Sequence, residues 1–142
     1  MKKDREEEII FDNLSVQHAR ILLHIDALDQ KIAQAIALNG VILSFVFDKL
    51  PNANSYFLFS AGLILILVSI VLGFLAYSGK VFMDSPNSNF YKDNKGIEKL
   101  KDQLLKDNDH NISIQKTKGK LFNLVLFFGV VGLILIIGGY YA

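Results

Sequence analysis

The chain has 142 residues, 51% of them hydrophobic, with a formal net charge of +1 and no cysteine. This length suits one domain, and the lack of cysteine excludes a disulfide framework, thiol chemistry and a cysteine-based metal site. The hydrophobic residues form a few uncharged runs between polar segments, whereas a soluble domain interleaves them at helical or strand period. The composition predicts an all-α integral membrane protein.

Two uncharged runs are long enough to cross a bilayer as helices. A helix needs about 20 apolar residues to span a hydrocarbon core of about 30 Å. The segments 55–77 and 121–142 meet this requirement without a single Asp, Glu, Lys or Arg. We predict a transmembrane helix over each.

A third transmembrane helix is predicted over 32–50, where the apolar run from Ile32 to Phe47 is shorter and less apolar. With Lys31 and Lys49 reaching towards the two interfaces the segment can span, although a buried or re-entrant helix has the same signature. The choice between two and three spans therefore depends on the charges of the connecting segments.

Lys and Arg concentrate in the segments 1–31 and 78–120, and basic residues mark the cytoplasmic side of a membrane protein. Three spans place both segments in the cytoplasm, whereas two spans would leave the first outside. We therefore predict a multi-pass protein of the cell (inner) membrane, with its N-terminus in the cytoplasm and its C-terminus outside.

Segment 1–31 is predicted to form an amphipathic cytoplasmic helix that continues into the first span. No Pro or Gly interrupts the chain from Ile9 to Asn39. Apolar residues recur three or four positions apart and so form one stripe of a helix; they are Leu14, Ile21, Ile25, Leu28 and Ile32. This inner stripe needs a partner, which is the connector helix, another copy of the chain or the membrane surface.

Segment 78–120 is predicted to be a cytoplasmic connector. It opens with a turn-rich stretch around Pro86, followed by a short amphipathic helix from Lys95 to Lys106. The run Asp107-Asn108-Asp109 is expected to end that helix. A last helix is expected to begin near Asn111 and to enter the third span.

The sequence contains no motif that indicates catalysis. The three histidines (His18, His24 and His110) lack metal-ligand spacing, and we expect them on solvated faces or at helix caps. Asp26 and Asp29 share a helical face near Lys31, where a solvated surface is the simpler interpretation. We expect no enzyme activity, cofactor or metal.

Asn39 lies on the continuation of the inner stripe inside the first span, so its side chain should face another helix. It either lines a pore or oligomer interface, or contacts another helix of the same chain. Small residues at Ser69 and Gly73, and at Gly129 and Gly132, permit close helix approach in the other two spans.

Lys116, Lys118 and Lys120 form the most concentrated basic patch, on the cytoplasmic approach to the third span. We interpret it as an interfacial anchor. Acidic residues nearly balance the lysines of the connector, so a nucleic-acid partner is not expected.

The Asp29-Gln30-Lys31 pattern before the first span and Asn39-Gly40 inside it resemble the Pycsar transmembrane effectors and related SLATT-type modules, which are small membrane effectors of bacterial anti-phage systems. The turn at Pro86 and the lysine-rich segment from Ile112 to Asn123 fit the same layout. This resemblance implies an oligomer that responds to a cyclic nucleotide by impairing the membrane.

The leading hypothesis is therefore a homo-oligomeric membrane effector that impairs membrane integrity or conducts ions in nucleotide-triggered defence. Its partners would be the lipid bilayer, further copies of itself and a cyclic nucleotide. Asp29, Lys31 and Asn39 are the ligand-binding or gating candidates. The alternative is a non-catalytic accessory or scaffold subunit of a larger membrane complex that holds its partner through the inner stripe.

Overall fold

The computed structural model describes residues 2–47, 49, 53–78 and 97–141, with side chains from Ile9 onward in the first helix and from Lys99 onward in the last. These residues form three helices and no strand: α1 (Lys2–Phe47), α2 (Tyr56–Ser78) and α3 (Ile97–Tyr141). Each helix is long and apolar enough to cross a membrane. The prediction of an all-α protein with three transmembrane helices is confirmed.

Helix α1 runs without interruption from the charged N-terminal segment into the first predicted span, as expected. The predicted helix end at Asp107-Asn108-Asp109 is wrong, because α3 is continuous through it. Asp107 accepts a hydrogen bond from the side chain of Gln103 at 2.9 Å, and both Asp107 and Asn108 are buried. Buried side-chain contacts here override a low intrinsic helix propensity.

The chain divides into two compact units. The polar unit comprises residues 1–27 and 80–116, and the membrane unit comprises residues 28–79 and 117–142. The turn predicted around Pro86, the residues 48 and 50 of the first predicted span and the terminal Ala142 lie outside the described residues.

In the polar unit, Ile21 and Ile25 of the inner stripe pack against Ile114 of α3. Of the three partners considered for the inner stripe, the connector segment of the same chain therefore occupies it here. The accessory-subunit hypothesis expected a partner protein on this stripe, and at Ile21 and Ile25 the position is taken by α3 of the same chain.

The membrane unit has a core of Ala53, Phe59, Leu63, Ile66 and Ile136. The amide of Ser55 donates to the carbonyl of Gly139 at 2.8 Å, which ties the start of α2 to the end of α3. Large apolar side chains, among them Phe45, Phe57, Phe127 and Ile134, are more than half exposed on the outside of the unit. This inverted surface suits contact with lipid chains.

Candidate functional site

An ion pair joins α1 to α3 within the membrane unit. The ammonium of Lys118 lies 2.6 Å from Oδ1 and 2.8 Å from Oδ2 of Asp29. The Lys118 side chain is 5% exposed and that of Asp29 is 22% exposed. Burial deprives the Lys118 ammonium of hydrogen bonds to water. The contacts to both carboxylate oxygens of Asp29 replace them.

This pairing differs from the sequence-based interpretation of both residues. Lys118 was expected to be an interfacial anchor, but its side chain turns inward, while Lys116 and Lys120 are exposed. Asp29 was expected on a solvated face beside Lys31. It faces Lys118 instead, whereas both Asp26 and Lys31 are exposed.

A second polar contact connects all three helices deeper in the membrane unit. The Asn39 amide on α1 donates to the Ser69 hydroxyl on α2 at 2.8 Å. That hydroxyl donates in turn to the backbone carbonyl of Val125 on α3 at 2.6 Å. Asn39 and Ser69 are both buried. Asn39 thus faces another helix as predicted, and the intrachain alternative is the one observed.

Glycines let the helices approach closely enough for these bonds to form. A Cβ built on Gly129 would lie 3.1 Å from the Asn39 Oδ1 atom. A Cβ on Gly62 would lie 2.6 Å from the carbonyl oxygen of Gly132, where two backbones meet. A Cβ on Gly73 would lie 2.6 Å from the Ile36 side chain. The expected close approach at small residues is confirmed in the second and third spans.

A groove of about 130 Å³ lies between α1 and α3 beside Asn39. Apart from Asn39 its lining is apolar: Ala35, Leu38, Ile42, Val125, Leu126, Gly129, Val130 and Leu133. Pockets for drug-sized ligands are typically about 300–1,000 Å³ and carry several convergent polar groups. The groove is smaller and less polar than such pockets.

A third buried polar contact lies in the polar unit, where Nδ1 of His18 is 2.8 Å from Oδ1 of Asn108. His18 is 1% exposed, so its expected place on a solvated face or cap is wrong, while His24 is exposed. Neither Nε2 of His18 nor Nδ2 of Asn108 has a hydrogen-bond partner. His18 lies four residues after Leu14 and three residues before Ile21, so helical periodicity places it on the inner stripe.

The described residues contain no group of three His, Cys, Asp or Glu side chains that could hold a metal ion. What the site offers instead is two sets of buried polar contacts that fasten α1 to its neighbours in the membrane unit. No protein-family model, curated protein or solved structure matches this chain.

Proposed function

We propose that the chain is an oligomeric membrane effector that impairs membrane integrity by letting ions pass, and that the Asp29–Lys118 ion pair holds its resting state. The cyclic-nucleotide trigger and the role in anti-phage defence are part of this proposal and rest on the resemblance carried by Asp29, Lys31 and Asn39. The membrane would be the cell's inner membrane, with a cytoplasmic N-terminus.

The observation that supports the proposal is the burial of the ion pair. Removing charged side chains from water is energetically costly unless they are paired, and this pair lies directly beside the apolar segments of α1 and α3. A buried pair of this kind contributes little net stability over an apolar pair of similar volume, but breaking it is strongly unfavourable. It is therefore suited to distinguishing two states of a helix bundle.

The test is inducible expression in bacterial cells with a membrane-potential dye. We expect wild-type cells to depolarise on addition of membrane-permeable 3′,5′-cyclic mononucleotides, and Lys118→Met cells to depolarise without them. The charge-swapped variant Asp29→Lys/Lys118→Asp should restore the resting behaviour. Lys106→Met, which removes an exposed lysine of α3, is the matched control and should behave as the wild type.

Equal amounts of each variant in the membrane fraction are required for the comparison. Cells that stay polarised with every nucleotide and every variant would refute ion passage. A Lys118→Met protein that is destabilised but leaves cells polarised would show that the ion pair is only a structural contact.

A non-catalytic accessory subunit is the second candidate function, and one observation favours it. Ile9, Val16 and Leu23 are large apolar side chains that are half or more exposed on α1 in the polar unit, where a partner protein can cover them. Purification in mild detergent followed by native mass measurement separates the two candidates. A homo-oligomer supports the effector, and a stoichiometric second protein supports the accessory subunit.

A further inference from the structure

A second groove, of about 260 Å³, lies where the ends of α1 and α3 meet the start of α2 in the membrane unit. Two of its lining residues, Phe59 and Ile136, belong to the core and are 1% and 4% exposed. Two others, Ile137 and Tyr141, are 50% and 78% exposed. The groove therefore reaches from the core to the outer surface of the unit, where lipid lies.

The lining of this groove changes in polarity towards the ends of the helices. On α1 the apolar Val46 is followed by Lys49, whose amide donates to the Val46 carbonyl at 2.9 Å. On α3 the apolar Ile137 is followed by Tyr140 and Tyr141. Three to four residues of helix span about 5 Å. An apolar level of the groove thus lies about one turn below a level of hydrogen-bond donors.

Lys49 gives the upper level a positive charge. It is exposed, and among the described residues of this end of the unit it is the one charged side chain, since 53–78 and 121–141 contain no Asp, Glu, Lys or Arg. Asp48 precedes it in the sequence. An ammonium and two phenolic hydroxyls are donors to an anionic group, and Tyr is typical of the level at which lipid headgroups lie.

We infer that this groove binds one anionic phospholipid, with the phosphate at Lys49 and the tyrosine hydroxyls and one acyl chain along the apolar level. A phospholipid has the polarity order of the groove, because a negatively charged acceptor group is joined directly to an apolar chain. The charge of Lys49 complements that group. The inference does not depend on ion passage, since it uses only the membrane-spanning part of the chain.

The test is native mass measurement of the full chain in mild detergent, with phosphatidylglycerol or the zwitterionic phosphatidylcholine added in equal amounts. We expect one phosphatidylglycerol to be retained per chain, and phosphatidylcholine to be retained several-fold less. A single basic residue contributes enough attraction at a membrane surface to change binding about fivefold. Lys49→Gln should therefore weaken phosphatidylglycerol retention about fivefold.

Two further variants separate the groove from general attraction to the surface. Ile137→Trp places a larger side chain in the groove and should abolish retention, whereas Ile134→Trp is the matched control, because Ile134 is 61% exposed on α3 and does not line the groove. Lys120→Gln, at an exposed position near the opposite end of α3's apolar segment, should leave retention unchanged. Asp48→Asn removes a neighbouring negative charge and should strengthen it.

Four results would overturn the inference. The first is equal retention of the two lipids, or no retention of either, by the wild type. The second is equal retention by the Ile137→Trp and Ile134→Trp variants. The third is a loss with Lys120→Gln as large as that with Lys49→Gln, which indicates attraction to any surface lysine. The fourth is a change in the same direction for Lys49→Gln and Asp48→Asn, which contradicts a negatively charged headgroup.

Discussion

Asp29 and Lys118 are 89 positions apart in the chain, yet both carboxylate oxygens of Asp29 lie within 2.8 Å of the Lys118 ammonium. Each residue lies only three positions from a predicted span, which begins at Ile32 in one case and at Leu121 in the other. The pair therefore fixes α1 against α3 next to their apolar segments. Lys118 is more deeply buried than Asp29. This difference determines which single substitution we expect to destabilise the protein more.

We predict that Asp29→Leu destabilises the protein more than Lys118→Met does. Removing one partner of a buried pair costs about 3–5 kcal/mol because the other charge is left uncompensated. Asp29→Leu leaves the more buried ammonium, whereas Lys118→Met leaves a carboxylate that keeps some contact with solvent. The Asp29→Leu/Lys118→Met double variant should regain most of the lost stability. Thermal unfolding in detergent, followed by circular dichroism, measures all three.

Lys116→Met is the control for this series because Lys116 is exposed on the same helix, and its midpoint should stay at the wild-type value. Additive losses in the double variant would mean that the two residues do not interact in the folded protein.

The contact between Asn39 and Ser69 gives the second prediction. Ser69→Ala removes the hydroxyl that accepts from Asn39 and donates to Val125. Interhelical hydrogen bonds in membrane proteins contribute about 0.6 kcal/mol on average and up to about 1.7 kcal/mol. We expect a loss of about 1–2 kcal/mol for the two bonds together, measured by unfolding in detergent.

Ser44→Ala provides the matched comparison, because the exposed Ser44 hydroxyl bonds only within its own helix, to the carbonyl of Val41. It should leave stability unchanged. If Ser69→Ala also left the stability unchanged, the contact between the three helices would not contribute to the free energy of unfolding.

The sequence predicted the helices better than it predicted the contacts of the charged residues. Uncharged length identified the second and third spans, because lipid admits few alternatives, whereas the first span also required the charges of the connecting segments. Lys118 was predicted to be an interfacial anchor because it is one of three closely spaced lysines, and its position on the buried face of α3 was not considered. When α3 is treated as one continuous helix, its buried residues follow a spacing of three, four or seven positions. These residues are Leu104, Asn108, Asn111, Ile114, Lys118 and Val125.

The same comparison explains why the partner of Asp29 was missed. Local spacing places Asp29 near Asp26 and Lys31, and a single sequence carries no information on which distant cation faces it. Asn39 was predicted correctly because its helix face could be followed from the inner stripe. Its hydrogen-bond partner, Ser69, was predicted only as a site of close helix approach. The spacing of small residues indicates how closely two helices can pack, but it does not identify hydrogen-bond partners.

The third prediction concerns the closest approach of α2 and α3. Gly62→Ala places a Cβ 2.6 Å from the carbonyl oxygen of Gly132 and 2.8 Å from the amide nitrogen of Ile136. Because both atoms belong to the backbone, the helices must separate. Overpacking of this kind costs about 1–3 kcal/mol. The loss should be visible as a lower unfolding midpoint in detergent.

Gly138→Ala serves as the control, since no described atom lies within 4 Å of a Cβ at that position. Its midpoint should be unchanged or slightly raised, as alanine is the better helix former. Equal midpoints for the Gly62 and Gly138 variants would contradict the close packing of α2 and α3.

The last prediction uses the incomplete hydrogen bonding of His18 and Asn108. Each has one hydrogen bond to the other and one buried nitrogen without a partner. Replacing one of them leaves the other residue's polar atoms buried and unsatisfied, which costs about 1–3 kcal/mol. Replacing both by apolar groups removes the unsatisfied atoms together. We therefore expect His18→Leu and Asn108→Leu to destabilise the polar unit singly, and the double variant to equal or exceed the wild type.

Amide hydrogen exchange of residues 9–27 and 99–116 measures this locally, because protection there reports the opening free energy of the polar unit without requiring the membrane unit to unfold. His24→Leu, at an exposed position of the same helix, should change protection by less than about 0.5 kcal/mol. A double variant as unstable as the sum of the two singles would rule out this interpretation, because it would mean that both residues stabilise the unit through contacts other than the one between them.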